Sequence, residues 1–203
     1  KVGGNLGNQN YSRLKQLNRV TLRKLGAVWL NNIEGGMTTG TNQSTPVVVD
    51  GVIYLESALG NVIAVDGRTG QTKWKYQQTR GSVRRRGVAV GQGLVYTLSG
   101  DDHVVALNKD TGAVAWERQH AGWGNVEKVA VVYHGGRLFI GTNDGPRGAA
   151  LALDATTGEK LWHFWGAPGP GEFGNDTWEG DTWQTGGATP WIHPAVDPEL
   201  KTV

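Results

Sequence analysis

A motif that occurs three times constrains the fold of this chain more than any other feature of its sequence. Each copy contains Thr-Gly, three variable residues and then a tryptophan, and the three tryptophans are Trp74, Trp116 and Trp162. Successive copies are about 40 residues apart, a period typical either of a four-stranded propeller blade or of a repeat of paired helices. The period alone therefore leaves two architectures open.

The residues before each copy of the motif decide between these architectures. Short runs rich in β-branched residues alternate with glycine turns, and in the first repeat residues 46–49 and 52–55 flank Asp50-Gly51. Asp-Gly between such runs is a hairpin signal. No segment of the repeats keeps an apolar period of about 3.6 residues for long enough to predict a helix. Each repeat therefore predicts four antiparallel strands, with the Thr-Gly turn before the fourth strand and its tryptophan packed between neighbouring blades.

The predicted fold is an all-β propeller of four-stranded antiparallel blades. A single domain spans residues 1–203 and divides into an N-terminal segment with a closing strand (1–30), three blades (45–78, 87–119 and 128–165), an irregular insertion (166–187) and the start of another blade (188–203). Propellers have about four to eight blades. Three blades with their edges therefore predict an incomplete propeller.

Composition excludes several classes of function. The chain has no cysteine, which excludes disulfides, thiolate metal sites and cysteine nucleophiles. The net charge is only +2. The densest basic run, Arg84-Arg85-Arg86, has no interleaved aromatic residues, so we expect no nucleic-acid partner. No apolar run approaches the roughly 18 residues that a transmembrane helix needs, so we expect no membrane span.

Several stretches of the chain resemble one known family. Residues 10–18 and 45–54 are similar to the opening and the first blade of the quinoprotein alcohol dehydrogenases, eight-bladed propellers that use pyrroloquinoline quinone (PQQ). The repeat is similar to the tryptophan-docking motif of that family. The most specific similarity is that of residues 177–191, which resemble the segment leading into the family's cofactor floor. The resemblance covers nearly the whole chain and implies the N-terminal portion of such a propeller.

This resemblance implies four cofactor-binding residues. Trp191 stands where the family has a tryptophan that lies flat beneath PQQ, and Thr189 stands where a threonine hydrogen-bonds the cofactor. Arg86 matches an arginine that contacts the reactive quinone oxygens, and Gln43 replaces a glutamate that meets the cofactor. The residues themselves also allow two plainer interpretations, in which Trp191 is another blade-packing tryptophan and Arg86 is a solvated surface charge.

The chain departs from the family at several positions. Arg80 and Gly81 stand where many members have two adjacent cysteines that form a disulfide ring. The glycine-rich loop 141–148 is short and lacks the family's metal-binding glutamate, and Asp144 in that loop is either a substitute ligand or an ordinary turn residue. The family's asparagine ligand and aspartate base lie beyond the matching end of the chain. We therefore assign no catalytic and no metal-binding residue.

Two functions are compatible with these residues. The first is a fragment of a periplasmic PQQ-dependent dehydrogenase that oxidises alcohols or sugars by hydride transfer to the quinone. The resemblance then implies a calcium or lanthanide ion in the full-length protein and an electron acceptor such as a cytochrome c. The second is a non-catalytic propeller that has lost the cofactor, so that this chain holds none, and that serves as a binding scaffold. Gln43, the absent cysteine pair and the short loop favour the second function.

Overall fold

Three antiparallel sheets of four strands each form the body of the chain. A computed structural model describes residues 3–35, 42–80, 86–122, 129–142 and 146–203. The strands are β1 (Val47–Val49), β2 (Val52–Glu56), β3 (Val62–Asp66), β4 (Thr72–Tyr76), β5 (Ala89–Gly91), β6 (Leu94–Ser99), β7 (His103–Asn108), β8 (Val114–Gln119), β9 (Val132–His134), β10 (Arg137–Gly141), β11 (Ala149–Asp154) and β12 (Lys160–Trp165). Strands that are consecutive within a sheet are also consecutive in sequence. The predicted blades of four antiparallel strands are confirmed.

The hydrophobic core lies between the faces of successive sheets. Tyr54 of the first sheet is buried in one cluster with Val95 and Leu107 of the second. Tyr96, which follows Val95 on β6, faces the third sheet and stacks on Tyr133 with ring centroids 5.8 Å apart. Successive strand residues point to opposite faces of a sheet, so the second sheet is apolar on both faces because it is covered on both. The first strands of neighbouring sheets lie side by side.

Two of the three motif tryptophans, Trp74 and Trp116, each connect one sheet to the next. The ring of Trp74 lies over Gly112, which belongs to the turn between β7 and β8, and its Nε1 donates a hydrogen bond to the carbonyl of Lys109 at 2.9 Å. Trp116 lies over Gly158 in the same way. Each ring thus buries a large apolar area while its one polar group stays satisfied.

A side-chain acceptor closes each Thr-Gly turn. Oδ1 of Asp66 accepts hydrogen bonds from the backbone N–H groups of Arg68 at 3.0 Å and Thr69 at 2.8 Å. Asn108 and Asp154 close the second and third turns with the same pair of backbone bonds. These short polar side chains mimic a backbone turn, and the glycine that follows takes a positive φ.

The structure has no strand over residues 26–30, where the sequence predicts a closing strand. A strand needs a hydrogen-bonded neighbour, and no described strand pairs with this segment. Trp29 nevertheless occupies the position that a motif tryptophan would take: its ring lies over Gly70 and its Nε1 donates to the carbonyl of Gly67 at 3.0 Å. The segment therefore contributes the tryptophan contact without the strand.

The predicted start of another blade at the C-terminal end also contains no strand. Pro190, Pro194 and Pro198 recur through this segment, and each lacks the backbone N–H that a sheet ladder needs. An isolated antiparallel bridge between Asp197 and Thr202 is the pairing that this part of the chain makes. The prolines thus remove backbone donors that a strand in this segment would use.

Helical structure in the described residues is limited to four short 3₁₀ turns. They are Leu22–Lys24, Ile33–Gly35, Asn175–Thr177 and Thr182–Gln184. The last two lie in the insertion that follows β12. Within the described ranges, no helix has the length and apolar character that a membrane-spanning segment requires.

Candidate cofactor site

Three of the four residues predicted to bind a cofactor line one cavity. Gln43, Arg86 and Trp191 surround a volume of about 180 Å³, together with Ala130 and the two residues after Trp191. Gln43 lies just before β1, Arg86 just before β5 and Ala130 just before β9. The cavity therefore lies where the first strands of the three blades begin, and Trp191 reaches it from the C-terminal segment.

Arg86 and Trp191 form the most distinctive contact of the cavity. The guanidinium carbon of Arg86 lies 5.3 Å from the centroid of the Trp191 ring, which is a cation–π distance. Nε of Arg86 is buried and has no hydrogen-bond partner among the residues that the structure describes. A buried N–H without an acceptor costs free energy, so the cavity favours a ligand that offers an oxygen at this point.

The backbone beside Arg86 is held by a buried carboxylate that the sequence analysis did not select. Glu56 is 4% exposed, and its Oε2 accepts a hydrogen bond from the N–H of Gly87 at 2.8 Å. Its Oε1 accepts a hydrogen bond from the hydroxyl of Thr97 at 2.5 Å. The sequence did indicate that Glu56 is buried. It lies two residues after Tyr54 on β2, and residues two apart in a strand point to the same face, here the face toward the core.

Gln43 is exposed, but its two neighbours are tied to the same glutamate. The N–H of Glu56 donates to Oγ of Ser44 at 3.3 Å. The amide of Asn42 donates to the carbonyl of Glu56 at 3.1 Å, and Oδ1 of Asn42 accepts from the N–H of Ser44 at 2.8 Å. The backbone on both sides of Gln43 is therefore fixed against the end of β2.

The segment that leads to Trp191 lies against the backbone of the third blade. A β-carbon at Gly141 would overlap the carbonyl of Pro190, and β-carbons at Gly148 and Gly166 would overlap the carbonyl of Ala188. Only glycine permits so close an approach of two backbones. Trp191 therefore follows a stretch of chain whose path is closely constrained.

Thr189, the fourth predicted residue, does not line the cavity. It is half-buried, its carbonyl accepts the N–H of Trp191 at 2.9 Å, and its Cα lies over Gly148. Its side chain has no assigned contact with the three cavity residues, so its role as a cofactor ligand stays a prediction.

Arg147 joins the insertion to the third blade next to this segment. Its guanidinium carbon lies 3.9 Å from the centroid of Trp165 and 5.5 Å from that of Trp183. It also pairs with the carboxylate of Glu172, and its Nε donates to the carbonyl of Ala167 at 2.9 Å. One planar cation thus stacks between two rings and bonds in its own plane. Sequence analysis missed it because the contacts are distant along the chain.

The structure describes only some of the positions at which the sequence departs from the family. Arg80, at one cysteine position, donates from Nε to Glu117 at 2.7 Å, and this hydrogen bond raises the pKa of Arg80. Gly81, at the other cysteine position, and Asp144 lie outside the described residues. Among the residues that are described, no group of three or more histidine, aspartate or glutamate side chains could hold a metal ion.

Two family profiles match the chain. Residues 1–93 match the β-propeller domain of glucose, ethanol and alcohol dehydrogenases, and residues 80–182 match the family described as outer membrane protein assembly factor BamB. Among curated proteins, the quinohemoprotein alcohol dehydrogenase of Comamonas testosteroni is 34% identical over 100% of this chain and 32% of its own length. The quinoprotein alcohol dehydrogenase PedH of Pseudomonas putida is 34% identical over 96% of this chain and 37% of its own length.

Solved structures give the same result. The quinohemoprotein alcohol dehydrogenase of Comamonas testosteroni superposes with a TM-score of 0.83 at 31% identity, over 98% of this chain and 33% of that one. A europium-containing methanol dehydrogenase superposes with a TM-score of 0.80 at 26% identity, over 98% of this chain and 40% of that one. The chain thus spans about a third of the length of the relatives that it matches.

Proposed function

The chain belongs to the family of PQQ-dependent alcohol dehydrogenases, and from this premise we propose that the protein carrying it oxidises alcohols or sugars with PQQ as its cofactor. The observation that carries the proposal is the buried, unpaired Nε of Arg86 beside the ring of Trp191. PQQ is a planar aromatic anion with carboxylate and quinone oxygens. Its shape matches an aromatic face, and its oxygens match an N–H donor without a partner.

Each cavity residue has a distinct part in this proposal. Trp191, which is 47% exposed, would offer its ring as an aromatic face to the cofactor. Arg86 would donate a hydrogen bond to an oxygen of the cofactor, and its positive charge would stabilise negative charge at that oxygen. Gln43 offers an amide that both donates and accepts but carries no charge. Bound PQQ supplies a quinone that accepts hydride from the substrate.

The metal ion, electron acceptor and location belong to the same proposal. A europium-containing methanol dehydrogenase is similar in structure, which supports a lanthanide ion in the protein that carries this chain, whereas calcium rests on the family resemblance. Two similar proteins are named lupanine 17-hydroxylase [cytochrome c] and methanol dehydrogenase [cytochrome c] subunit 1, which supports an acceptor such as a cytochrome c. A periplasmic location rests on the family resemblance and is tested by cell fractionation.

A second candidate, a non-catalytic propeller that binds no PQQ, has two specific observations in its favour. Gln43 replaces a charged family residue, and the arginine at one cysteine position is already paired with Glu117. The first feature weakens the resemblance at the cavity, the second weakens it at a cysteine position, and both leave the fold unaffected.

Titration of the intact protein with PQQ, in the presence of calcium or a lanthanide, separates the two candidates. We expect saturable quenching of tryptophan fluorescence and alcohol-dependent dye reduction. Arg86→Ala should weaken PQQ binding about tenfold or more, since it removes a charged hydrogen-bond donor. Arg68→Ala, at an exposed arginine in a turn of the first blade, is the matched control and should leave the affinity unchanged. Absence of PQQ binding would overturn the proposal and favour the scaffold, and binding without alcohol-dependent dye reduction would contradict the proposed oxidation.

A further inference from the structure

Glu56 is a buried acidic residue to which the proposed function gives no part. It ends β2, and it lies within hydrogen-bond distance of the residue that follows Arg86. We propose that the carboxylate of Glu56 is a positioning group that holds the backbone turn after Arg86 and so aims the guanidinium into the cavity. This inference rests on the proposed function, because PQQ is the ligand that Arg86 would meet.

The backbone turns at Gly87, immediately after Arg86. Gly87 has a φ of +111°, so the chain changes direction immediately after Arg86. The N–H of Gly87 donates to Oε2 of Glu56 at 2.8 Å, and both groups are buried. An ionised acceptor makes such a bond short and strong. The direction in which the Arg86 side chain leaves the backbone therefore depends on this contact.

The carboxylate of Glu56 is itself fixed. Its other oxygen accepts the hydroxyl of Thr97 at 2.5 Å, and Thr97 lies on β6 in the second sheet. Glu56 thus extends from the first sheet to the second, and both of its oxygens have donors there. A charged group that is held at both oxygens has little freedom to move, so it can act as a fixed point for the turn.

The side chain and the backbone of Glu56 make separate contacts. The segment around Gln43 is tied to Glu56 through the N–H and carbonyl of Glu56, by way of Ser44 and Asn42. A substitution of the Glu56 side chain leaves those two bonds in place. Glu56 variants should therefore act on PQQ binding through Arg86 and leave the contribution of Gln43 unchanged.

Two variants of Glu56 test the inference by contrast. In Glu56→Gln the amide oxygen still accepts from Gly87, and the amide N–H₂ can donate to the hydroxyl of Thr97, which also accepts. This variant should bind PQQ within about threefold of the unchanged protein. Glu56→Leu leaves the N–H of Gly87 without an acceptor and should weaken PQQ binding about tenfold. Glu159→Leu, at an exposed glutamate in the turn before β12, is the control.

A double-mutant cycle shows whether the effect passes through Arg86. In an Arg86→Ala background, Glu56→Leu should change the dissociation constant of PQQ by less than about twofold, because the group that it positions is gone. In a Gln43→Ala background the tenfold loss should persist. Equal losses in both backgrounds would mean general damage to the fold and would overturn the inference.

Hydrogen exchange of the Gly87 amide supplies a measurement that needs no PQQ. The amide should be protected in the unchanged protein and in Glu56→Gln, and should exchange much faster in Glu56→Leu. If the unchanged protein binds no PQQ, the proposed function fails, and this exchange rate still decides whether Glu56 holds the turn. Equal protection in Glu56→Leu and the unchanged protein would overturn the inference even if PQQ binds.

Discussion

The six-membered ring of Trp74, on β4 of the first blade, lies directly against Gly112 in the second blade. A β-carbon at Gly112 would lie 2.6 Å from Cε3 of that ring, too close for any real contact. Trp74 is only 8% exposed. The Thr-Gly turn of one blade and the tryptophan of the blade before it are therefore two halves of one contact, which explains why they recur together.

The chain offers a matched pair of glycines that isolates this contact. Gly112 and Gly93 both have a φ of +74°, but a β-carbon at Gly93 would meet nothing within 4 Å. Both Gly→Ala variants carry the strain of alanine at positive φ, about 1 to 2 kcal/mol. Gly112→Ala must also displace Trp74, which should cost about 1 to 3 kcal/mol more. Urea denaturation of the two variants measures the difference, and equal losses of stability would contradict the role assigned to the ring.

The propeller could be predicted because its information is local and repeated. Hairpin turns like Asp50-Gly51 and Thr-Gly turns like the one closed by Asp66 recur about every 40 residues, and strands between such turns have few alternatives. The C-terminal segment shows the limit of this approach. There Pro190 and its successors remove backbone donors, and the structure has no strand over residues 188–203.

The candidate site was predictable only in part, for a different reason. Gln43, Arg86 and Trp191 are far apart in sequence, and they were selected by resemblance to a family, since no spacing rule would bring them together. Glu56 and Arg147 were missed because their importance lies in contacts with distant residues. Long-range pairing of a carboxylate with a backbone N–H leaves little trace in one sequence, apart from a charged residue on the apolar face of a strand.

Gly141 provides a test of how Trp191 is held at the cavity. A β-carbon there would overlap the carbonyl of Pro190, the residue before Trp191, whereas one at Gly26 would meet nothing within 4 Å. Gly141→Ala should therefore move the backbone at Pro190 and weaken PQQ binding about tenfold or more. Gly26→Ala should leave binding unchanged. Unaltered PQQ affinity in Gly141→Ala, measured by fluorescence titration, would show that Trp191 is held by other contacts.

The guanidinium of Arg147 should contribute more to the free energy of unfolding than the guanidinium of an ordinary surface arginine. Arg147→Lys keeps the charge but loses the planar stack on Trp165 and the bond from Nε to Ala167, so we expect a loss of about 1 to 2 kcal/mol. Arg118→Lys is the control, because Arg118 also donates from Nε to a backbone carbonyl, that of Thr157 at 3.2 Å, but is exposed. Chemical denaturation compares them, and equal effects would rule out a special contribution from the stack.

Acid should weaken the blades through the carboxylates that close two of the three turns. Hydrogen bonds from the backbone N–H of Thr69 lower the pKa of Asp66, and those of Thr157 lower the pKa of Asp154. A carboxyl whose pKa is lower in the folded state stabilises that state above its unfolded pKa, which is about 4. This contribution is lost as the pH falls from there through the folded pKa.

Asn108 shows how to remove the titration and keep the turn. It closes the second turn with the same bonds, from Asp110 and Thr111 at 3.0 Å each, and it has no charge to lose. The double variant Asp66→Asn, Asp154→Asn should therefore lose less stability than the unchanged protein when the pH falls from 7 to about 3. Asp181→Asn, at a side chain that makes no capping hydrogen bond, is the control and should follow the unchanged protein. Urea denaturation at several pH values measures the two slopes. Parallel pH profiles for the double variant and the unchanged protein would show that the turn carboxylates do not govern the acid response.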